Sequence, residues 1–381
     1  MEIEIFKEKL NQCLGVIEPL IKRGYGLPIL NNILLETEKS FLKISATNLE
    51  TSIVWRILTR VVKEGKICVP ISYIHSLMGF LREDKIKIIV QKNTLILEGK
   101  DEINQIQGVN IEDFPIIPPI VKSDFIEIGS KELNQALLQI ISIPAVSQIR
   151  PEISGIYFSF YGDALKIVGT DSFRLAEKTI KLGEKIKKDF NFILPQSAAR
   201  ELTNVLSLKS SNAKIYFNQN QVLFEWADDE VASPQIQFSS RVINGEYPNY
   251  EEIIPKKYTA KIIVEKQEFL NQVKKAGLFS GKISEIKITI LKDKNKIKIF
   301  SESVDVGKNE AYIPVKMEEK IKEDLEVSFN YRFLIDGLAS IKSSEVSFKE
   351  SERDGERDGP ATIMPVGDES FIYILMPIKA N

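Results

Sequence analysis

The sequence predicts an α+β chain of three tandem domains, each made of two similar halves that combine one helix with antiparallel strands. Three observations lead there. The 381 residues exceed what one hydrophobic core supports, since single cores stop growing at roughly 250–300 residues. Helical apolar spacing returns six times, with period-two alternation between the returns. Closely spaced prolines interrupt this pattern twice, in DFPIIPP (113–119) and YPNYEEIIP (247–255), where they end regular structure and stiffen the chain.

The first helical segment is 6–22, where Leu10, Leu14, Ile17 and Ile21 form one apolar stripe. The others are 71–82, 130–142, 196–209, 266–279 and 330–342. Between the first two, Leu42, Ile44 and Ala46 alternate with Lys43, Ser45 and Thr47, and Ile86, Ile88 and Val90 with Lys85 and Lys87; these are half-buried strands. The segments fall into two kinds. One reads CVP-helix-DKIKIIV-TLILEG (68–99), ILP-helix-AKIYF-QVLFEW (193–226) and VSF-helix-SEVSF-ATIMP (327–365). The other reads LKISATNLETSIVWRI (42–57), LKIVGTDSFRLAEKTI (165–180) and IKIFSESVDVGKNEAYI (297–313). Each domain joins one of each kind, and the prolines divide the chain into 1–123, 124–256 and 257–381. The low-complexity stretch SERDGERDG (351–359) lacks calcium-loop ligand spacing and is expected to be a solvated hairpin loop.

Composition removes most chemistries. Net charge is -2, so any affinity for nucleic acid has to be local. Cys13 and Cys68 form no CxxC pair, and no apolar run reaches the 18 or so residues of a membrane span; a cytoplasmic protein is expected. The single histidine, His75, sits among Ile74, Leu77, Met78 and Leu81, which leaves no second imidazole for zinc or for a histidine-paired nucleophile. Gly24-Tyr25-Gly26 lacks the third glycine of a dinucleotide loop, and no phosphate-binding GxxxxGK[ST] is present. The SxxK matches at Ser40 and Ser284 lie in strand-like stretches, as chance matches do. Neither catalytic residues, a metal nor a cofactor is expected.

Charge is divided unevenly. The six helical segments hold 12 of the 51 Lys/Arg but only 6 of the 53 Asp/Glu. Helices sharing one side of the molecule would therefore present a mildly positive surface, able to hold phosphates loosely and without sequence preference.

The order and spacing of LPILNN (27–32), ATNLE (46–50), DFP (113–115), SGIYF (154–158), TDSFRLA (170–176), GEYPNY (245–250) and YILMPI (373–378) resemble the bacterial sliding clamp family, the β subunit of DNA polymerase III, over the whole chain. The resemblance implies a non-enzymatic processivity factor: three clamp-type domains per chain, and a head-to-tail homodimer closing into a ring with helices inside and sheets outside. Twelve helices at roughly 8–10 Å each bound a bore of roughly 30 Å, wide enough for duplex DNA. Candidate DNA-facing residues are Arg23, Arg82, Lys131, Arg150, Arg200, Lys209, Lys274, Lys275 and Arg332.

The same resemblance implies a pocket for clamp-binding peptides of the replicative polymerase, the clamp loader and repair proteins, between the second and third domains. Matched by motif, it comprises Ile153, Thr170, Ser172, Phe173, Arg174, Leu175, Pro248, Ile253, Asn330, Phe333, Ile374, Leu375, Met376, Pro377 and Ile378. Two departures stand out. The family has glycine at the position of Ser172, often followed by His or Tyr where Phe173 stands. Family dimers also set basic against acidic residues, whereas the stretch 101–110 begins Asp101-Glu102 here; closure would lean on apolar contacts of Leu77, Leu81 and Ile106 with Leu278 and Phe279. The alternative readings are a β-rich protein-interaction scaffold that encircles nothing, and an acid–base enzyme using Asp171 and Arg174, which requires a solvent-reachable Asp171.

Overall fold

The computed structural model describes residues 1–378 except 23–25, 100, 123, 146, 148, 229, 230, 293, 320 and 352–358. Arg23 and most of SERDGERDG thus lie outside the described residues. Among these residues there are six α-helices: α1 (Lys7–Lys22), α2 (Ile71–Met78), α3 (Ser130–Ile140), α4 (Gln196–Ser207), α5 (Lys266–Gly277) and α6 (Tyr331–Ser340). Each begins within a residue of its predicted start. Five end early, because apolar side chains continue the stripe past the last helical turn. Leu81, Ile141 and Ile341 are buried in the turns that follow, where periodicity alone cannot tell them from helix. No helix among the described residues is long and apolar enough to cross a membrane.

The chain packs as two compact units, Met1–Asn134 with Ser197–Ile243 and Gln135–Gln196 with Asn244–Asn381. The division cuts across the middle sequence repeat, for a reason visible in the sheets. In the first unit an eight-stranded sheet is continuous because strand Thr51–Leu58 pairs antiparallel with Val231–Arg241, setting Ile53 opposite Phe238. In the second, a nine-stranded sheet is continuous because Arg174–Lys181 pairs antiparallel with Phe371–Leu375. Backbone ladders thus fuse each half of the middle repeat to a different neighbour.

The remaining sheets are smaller. Among the described residues, a five-stranded sheet of the first unit ends at Ile103–Gln107, which pairs only with Thr94–Glu98, and a four-stranded sheet of the second ends at Gly307–Pro314, which pairs only with Lys296–Ser303. Both are open edges carrying unpaired backbone groups.

Helices pack in pairs over these sheets, α1 with α2 and α5 with α6. Glu18 of α1 holds His75 of α2 (Nδ1 to Oε2, 2.7 Å), and Lys7 Nζ donates to the Leu81 carbonyl (2.7 Å). His75 is therefore a helix-pairing residue. The predicted apolar stripe of α1 is core: Leu10, Leu14, Ile17 and Ile21 are all buried. Cys13 and Cys68 are free and buried; burial, with a smaller contribution from Asp113, pushes the Cys68 thiol up to about 12.

Two of the residues expected at a subunit contact are core instead. Leu81 closes the turn after α2 and Ile106 faces inward from its strand, at 3% and 7% exposure, so neither has surface to offer a partner. Leu278 is exposed, and Leu77 and Phe279 are half-buried. Tyr73, Phe80 and Ile103 in the first unit, and Ile283, Val304 and Val306 in the second, are among the other exposed apolar side chains.

Candidate functional site

The segment TDSFR forms a tight turn between strands Ala164–Thr170 and Arg174–Lys181. Thr170 Oγ1 accepts from Ser172 N (3.1 Å) and donates to the Arg174 carbonyl (2.8 Å). Asp171 Oδ1 accepts from the backbone N–H of Phe173 and of Arg174, both at 3.0 Å. Short side chains with oxygens one or two bonds from Cβ can mimic a backbone turn in this way. Ser172 at its apex has φ +75°, the left-handed region that favours glycine.

The neighbouring strand fixes the floor. Arg174 and Leu175 lie opposite Leu375 and Ile374, and Met376 N donates to the Phe173 carbonyl (2.9 Å). The third wall is the proline-flanked segment before strand Ala260–Glu265 begins. Tyr250 anchors it by donating to Glu177 Oε2 (2.6 Å), and Tyr247 stacks on Tyr157 with ring centroids 4.6 Å apart. Burial and the Glu177 carboxylate push the Tyr250 phenol upward, so it stays a donor.

These walls enclose a cleft of about 430 Å³ within the second unit. Of the predicted residues, Thr170, Ser172, Arg174, Leu175, Ile253, Ile374 and Met376 line it. Phe173, 61% exposed, pairs with Phe333 at the edge, centroids 6.3 Å apart. The structure does not bring the others into the lining. Ile153 and Leu375 are buried, and Pro248, Pro377 and Ile378 are half-buried. Asn330 caps α6, its side chain accepting from Arg332 N. Asn249, Glu252, Pro255, Ser351 and Pro360 also line the cleft and were missed. The first three belong to the same proline-rich punctuation that marked the boundary; Ser351 opens the low-complexity stretch and Pro360 follows it.

Arg174 is the electrostatic centre. Its guanidinium donates from Nε to Asp171 Oδ2 (2.9 Å), from Nη1 to Asp336 Oδ2 and from Nη2 to the Ser142 carbonyl (3.3 Å). It also lies 4.5 Å from the centroid of the Phe333 ring. Burial opposes the charge, but Tyr373, Asp336 and Asp171 outweigh it and raise the guanidinium pKa further. Asp336 was not predicted, although it sits three residues after Phe333 and so on the same face of α6. Asp171 has its side chain 9% exposed and its oxygens engaged, which removes it as an acid–base catalyst. No group of three or more His, Cys, Asp or Glu among the described residues is placed to hold a metal. What remains is a half-apolar, half-polar cleft suited to holding an extended chain.

The predicted DNA-facing cations divide as well. Arg82, Lys131, Arg200, Lys274, Lys275 and Arg332 are exposed. Lys209 is half-buried and donates to Gln235. Arg150 is tied to Glu152 at 3.2 Å and reaches Ser172 Oγ at 3.5 Å, so it belongs to the rim of the cleft.

Three family models match in succession and span nearly the whole chain: the N-terminal domain of the DNA polymerase III beta subunit at residues 1–118, its central domain at 127–249 and its C-terminal domain at 251–379. The chain belongs to the DNA polymerase III beta subunit family. It is a sliding clamp, a non-catalytic accessory subunit acting in DNA replication. The beta sliding clamp of Staphylococcus aureus is 26% identical over 392 residues, covering 99% of this chain and 97% of that protein. That of Synechococcus elongatus is 22% identical over 388 residues, covering 100% and 99%. The fold matches the crystal structure of the sliding clamp from Bacillus subtilis with TM-score 0.91 at 22% identity, both chains covered in full. A Pseudomonas aeruginosa clamp bound to griselimycin matches equally, with TM-score 0.91, 22% identity and full coverage of both chains.

Proposed function

We propose that two copies of this clamp close head to tail into a ring that encircles duplex DNA, and that the cleft of the second unit tethers the replicative polymerase, the clamp loader and repair proteins in the cytoplasm. In this reading the chain divides into domains 1–123, 124–256 and 257–381. The observation that carries closure is sheet topology. At both internal junctions the last strand of a CVP-type half (Val231–Arg241, Phe371–Leu375) pairs antiparallel with the second strand of the other kind's strand–turn–strand (Thr51–Leu58, Arg174–Lys181). The corresponding strands left over are Ile103–Gln107 and Gly307–Pro314, each the end strand of its sheet. Joining one copy's first edge to another's second edge repeats the same junction. Done twice, it closes a twofold ring and leaves neither edge free.

Surface composition supports this. Ile103 on the first edge strand and Val304 and Val306 just before the second are exposed, consistent with apolar closure. Within the ring, Arg82, Lys131, Arg200, Lys274, Lys275 and Arg332 are the predicted DNA-facing cations that are exposed, few enough that confinement rather than adhesion holds the DNA.

In the cleft, Leu175, Ile374 and Met376 receive aliphatic or aromatic peptide anchors while Thr170 and Ser172 orient the backbone. The deformable thioether of Met376 accommodates different anchors. Two anchors at roughly 1.5–3 kcal/mol each, set against the cost of association, give weak, exchangeable binding.

The test is topological. Loaded onto nicked circular DNA by a matching clamp loader and ATP, the protein should co-elute with the circle and be released by linearisation. Retention that linearisation leaves unchanged, or no retention, would end the encircling reading.

A further inference from the structure

The turn that builds the cleft occurs a second time, in the first unit. Thr47 Oγ1 accepts from Leu49 N and donates to the Thr51 carbonyl, both at 3.0 Å; Asn48 Oδ1 accepts from Glu50 N (3.1 Å) and Thr51 N (2.7 Å). Leu49 has φ +75°, the value at Ser172. The neighbouring strand corresponds too. Ser240 lies opposite Thr51 and Ser239 opposite Ser52, as Leu375 lies opposite Arg174 and Ile374 opposite Leu175. Arg241 N donates to the Glu50 carbonyl at 2.8 Å, the counterpart of Met376 N donating to Phe173.

This shared frame encloses a smaller cleft, about 90 Å³, closed by Pro115, Ile116 and Pro118 of the proline-rich segment. Its side chains differ in kind. Where the larger cleft has Leu175, Ile374 and Met376, the smaller has Ser52, Ser239 and Arg241. The cations differ in availability. Arg174 is consumed by two carboxylates, whereas exposed Arg241 has no side-chain partner among the described residues. Leu49 and Ile116, 46% and 92% exposed, stand at the same site.

We propose that this cleft is a second docking site, taking an extended peptide segment that carries one carboxylate beside an aliphatic side chain. The proposal rests on the larger cleft being a peptide site, since the shared backbone frame is what extends that role. The carboxylate meets the unpartnered Arg241 and the hydroxyl of Ser239, while the Ser52 hydroxyl stays committed to Thr47 Oγ1 (2.9 Å), and the aliphatic neighbour covers Leu49 and Ile116. The volume equals about three waters at ≈ 30 Å³ each, room for one carboxylate-bearing side-chain tip. Glu50 in the same lining disfavours a doubly charged phosphate.

Methyl-labelled full-length protein tests this by NMR, with the acetylated, amidated pentapeptide Gly-Glu-Leu-Ser-Gly as probe. Titration should shift the Leu49 and Ile116 methyl signals. Exchanging the peptide's Glu for Gln, or Arg241→Met in the protein, should weaken the interaction about fivefold, as loss of an exposed charge pair does. Silent Leu49 and Ile116 methyls, equal binding of the Gln peptide, or inorganic phosphate producing the same shifts would overturn the proposal. The Met376 methyl, followed with a Leu-Phe peptide, reports the larger cleft separately. Silence there alone removes the peptide reading of that cleft, and silence at Leu49 and Ile116 alone removes this one.

Discussion

Arg174 and Asp336 join a β-turn to helix α6 through one charged hydrogen bond, and the same guanidinium covers the Phe333 ring and holds Asp171. The pair thereby braces the turn that forms one wall of the cleft against α6, which lies outside the lining. Arg174→Ala leaves the Asp171 side chain, 9% exposed, without its cation. A loss of about 3 kcal/mol of stability is expected, near the low end for breaking a buried pair, together with loss of clamp-peptide binding. Asp336→Ala should cost only about 1 kcal/mol, because that carboxylate is 44% exposed, yet weaken peptide binding about tenfold by releasing the wall. Urea unfolding and fluorescence anisotropy with a labelled clamp peptide separate the two effects.

Ser172 carries a Cβ in left-handed backbone (φ +75°). Ser172→Gly should remove that strain and raise stability by about 0.5–1 kcal/mol net of the extra unfolded-state entropy. The urea midpoint should rise at constant m-value, with peptide affinity unchanged or improved.

Gly337 touches the Tyr373 ring so closely that a Cβ would lie 2.6 Å from Cε1. Tyr373 is buried, and its hydroxyl donates to the Phe333 carbonyl at 2.7 Å. Gly337→Ala should therefore displace the ring and destabilise by about 2–3 kcal/mol. Gly183, with nothing within 4 Å of the corresponding position, is the control: Gly183→Ala should change thermal stability by less than about 0.5 kcal/mol.

Cys68 should be inert to a thiol reagent in the native protein at pH 8 and reactive once unfolded, since burial raises its pKa to about 12. Between the ordinary thiol value near 9 and 12, the folded state keeps a proton that the unfolded state has lost. The stability linked to Cys68 is thus fully present below pH 9 and declines above it, by up to about 1.4 kcal/mol per pH unit. Urea midpoints from pH 8 to 10.5 should fall less steeply for Cys68→Ala than for the parent protein.

Ile103–Gln107 and Gly307–Pro314 are the edges proposed to meet between copies. Ile103→Pro removes a backbone donor and an exposed apolar side chain from the first edge, and should weaken self-association at least about tenfold. Sedimentation velocity across a dilution series reads this; an unchanged dimer would move the interface elsewhere.

Much of the fold was legible because its signals are local. The 3.6-residue stripe of Leu10, Leu14, Ile17 and Ile21 and the alternation of Leu42, Ile44 and Ala46 are properties of short windows, and all seven residues are buried. The turn residues Thr170 and Asp171 carry a local signal that the sequence reading did not use, since each oxygen meets a backbone N–H within three residues. Helix ends were not legible, because Leu81 and Ile341 look alike in sequence whether they extend a helix or fill the turn beyond it.

The sequence by itself therefore determined the six helices, the threefold repeat and the family. Tertiary structure alone decided that ladders at Thr51–Leu58 and Arg174–Lys181 divide the middle repeat between two units, that Asp336 rather than a nearer carboxylate completes the hold on Arg174, and that Leu81 and Ile106 belong to the core. Periodicity records only which face of an element is apolar. Which partner that face, or an unpaired backbone edge, meets depends on residues hundreds of positions away, whose approach no local pattern encodes.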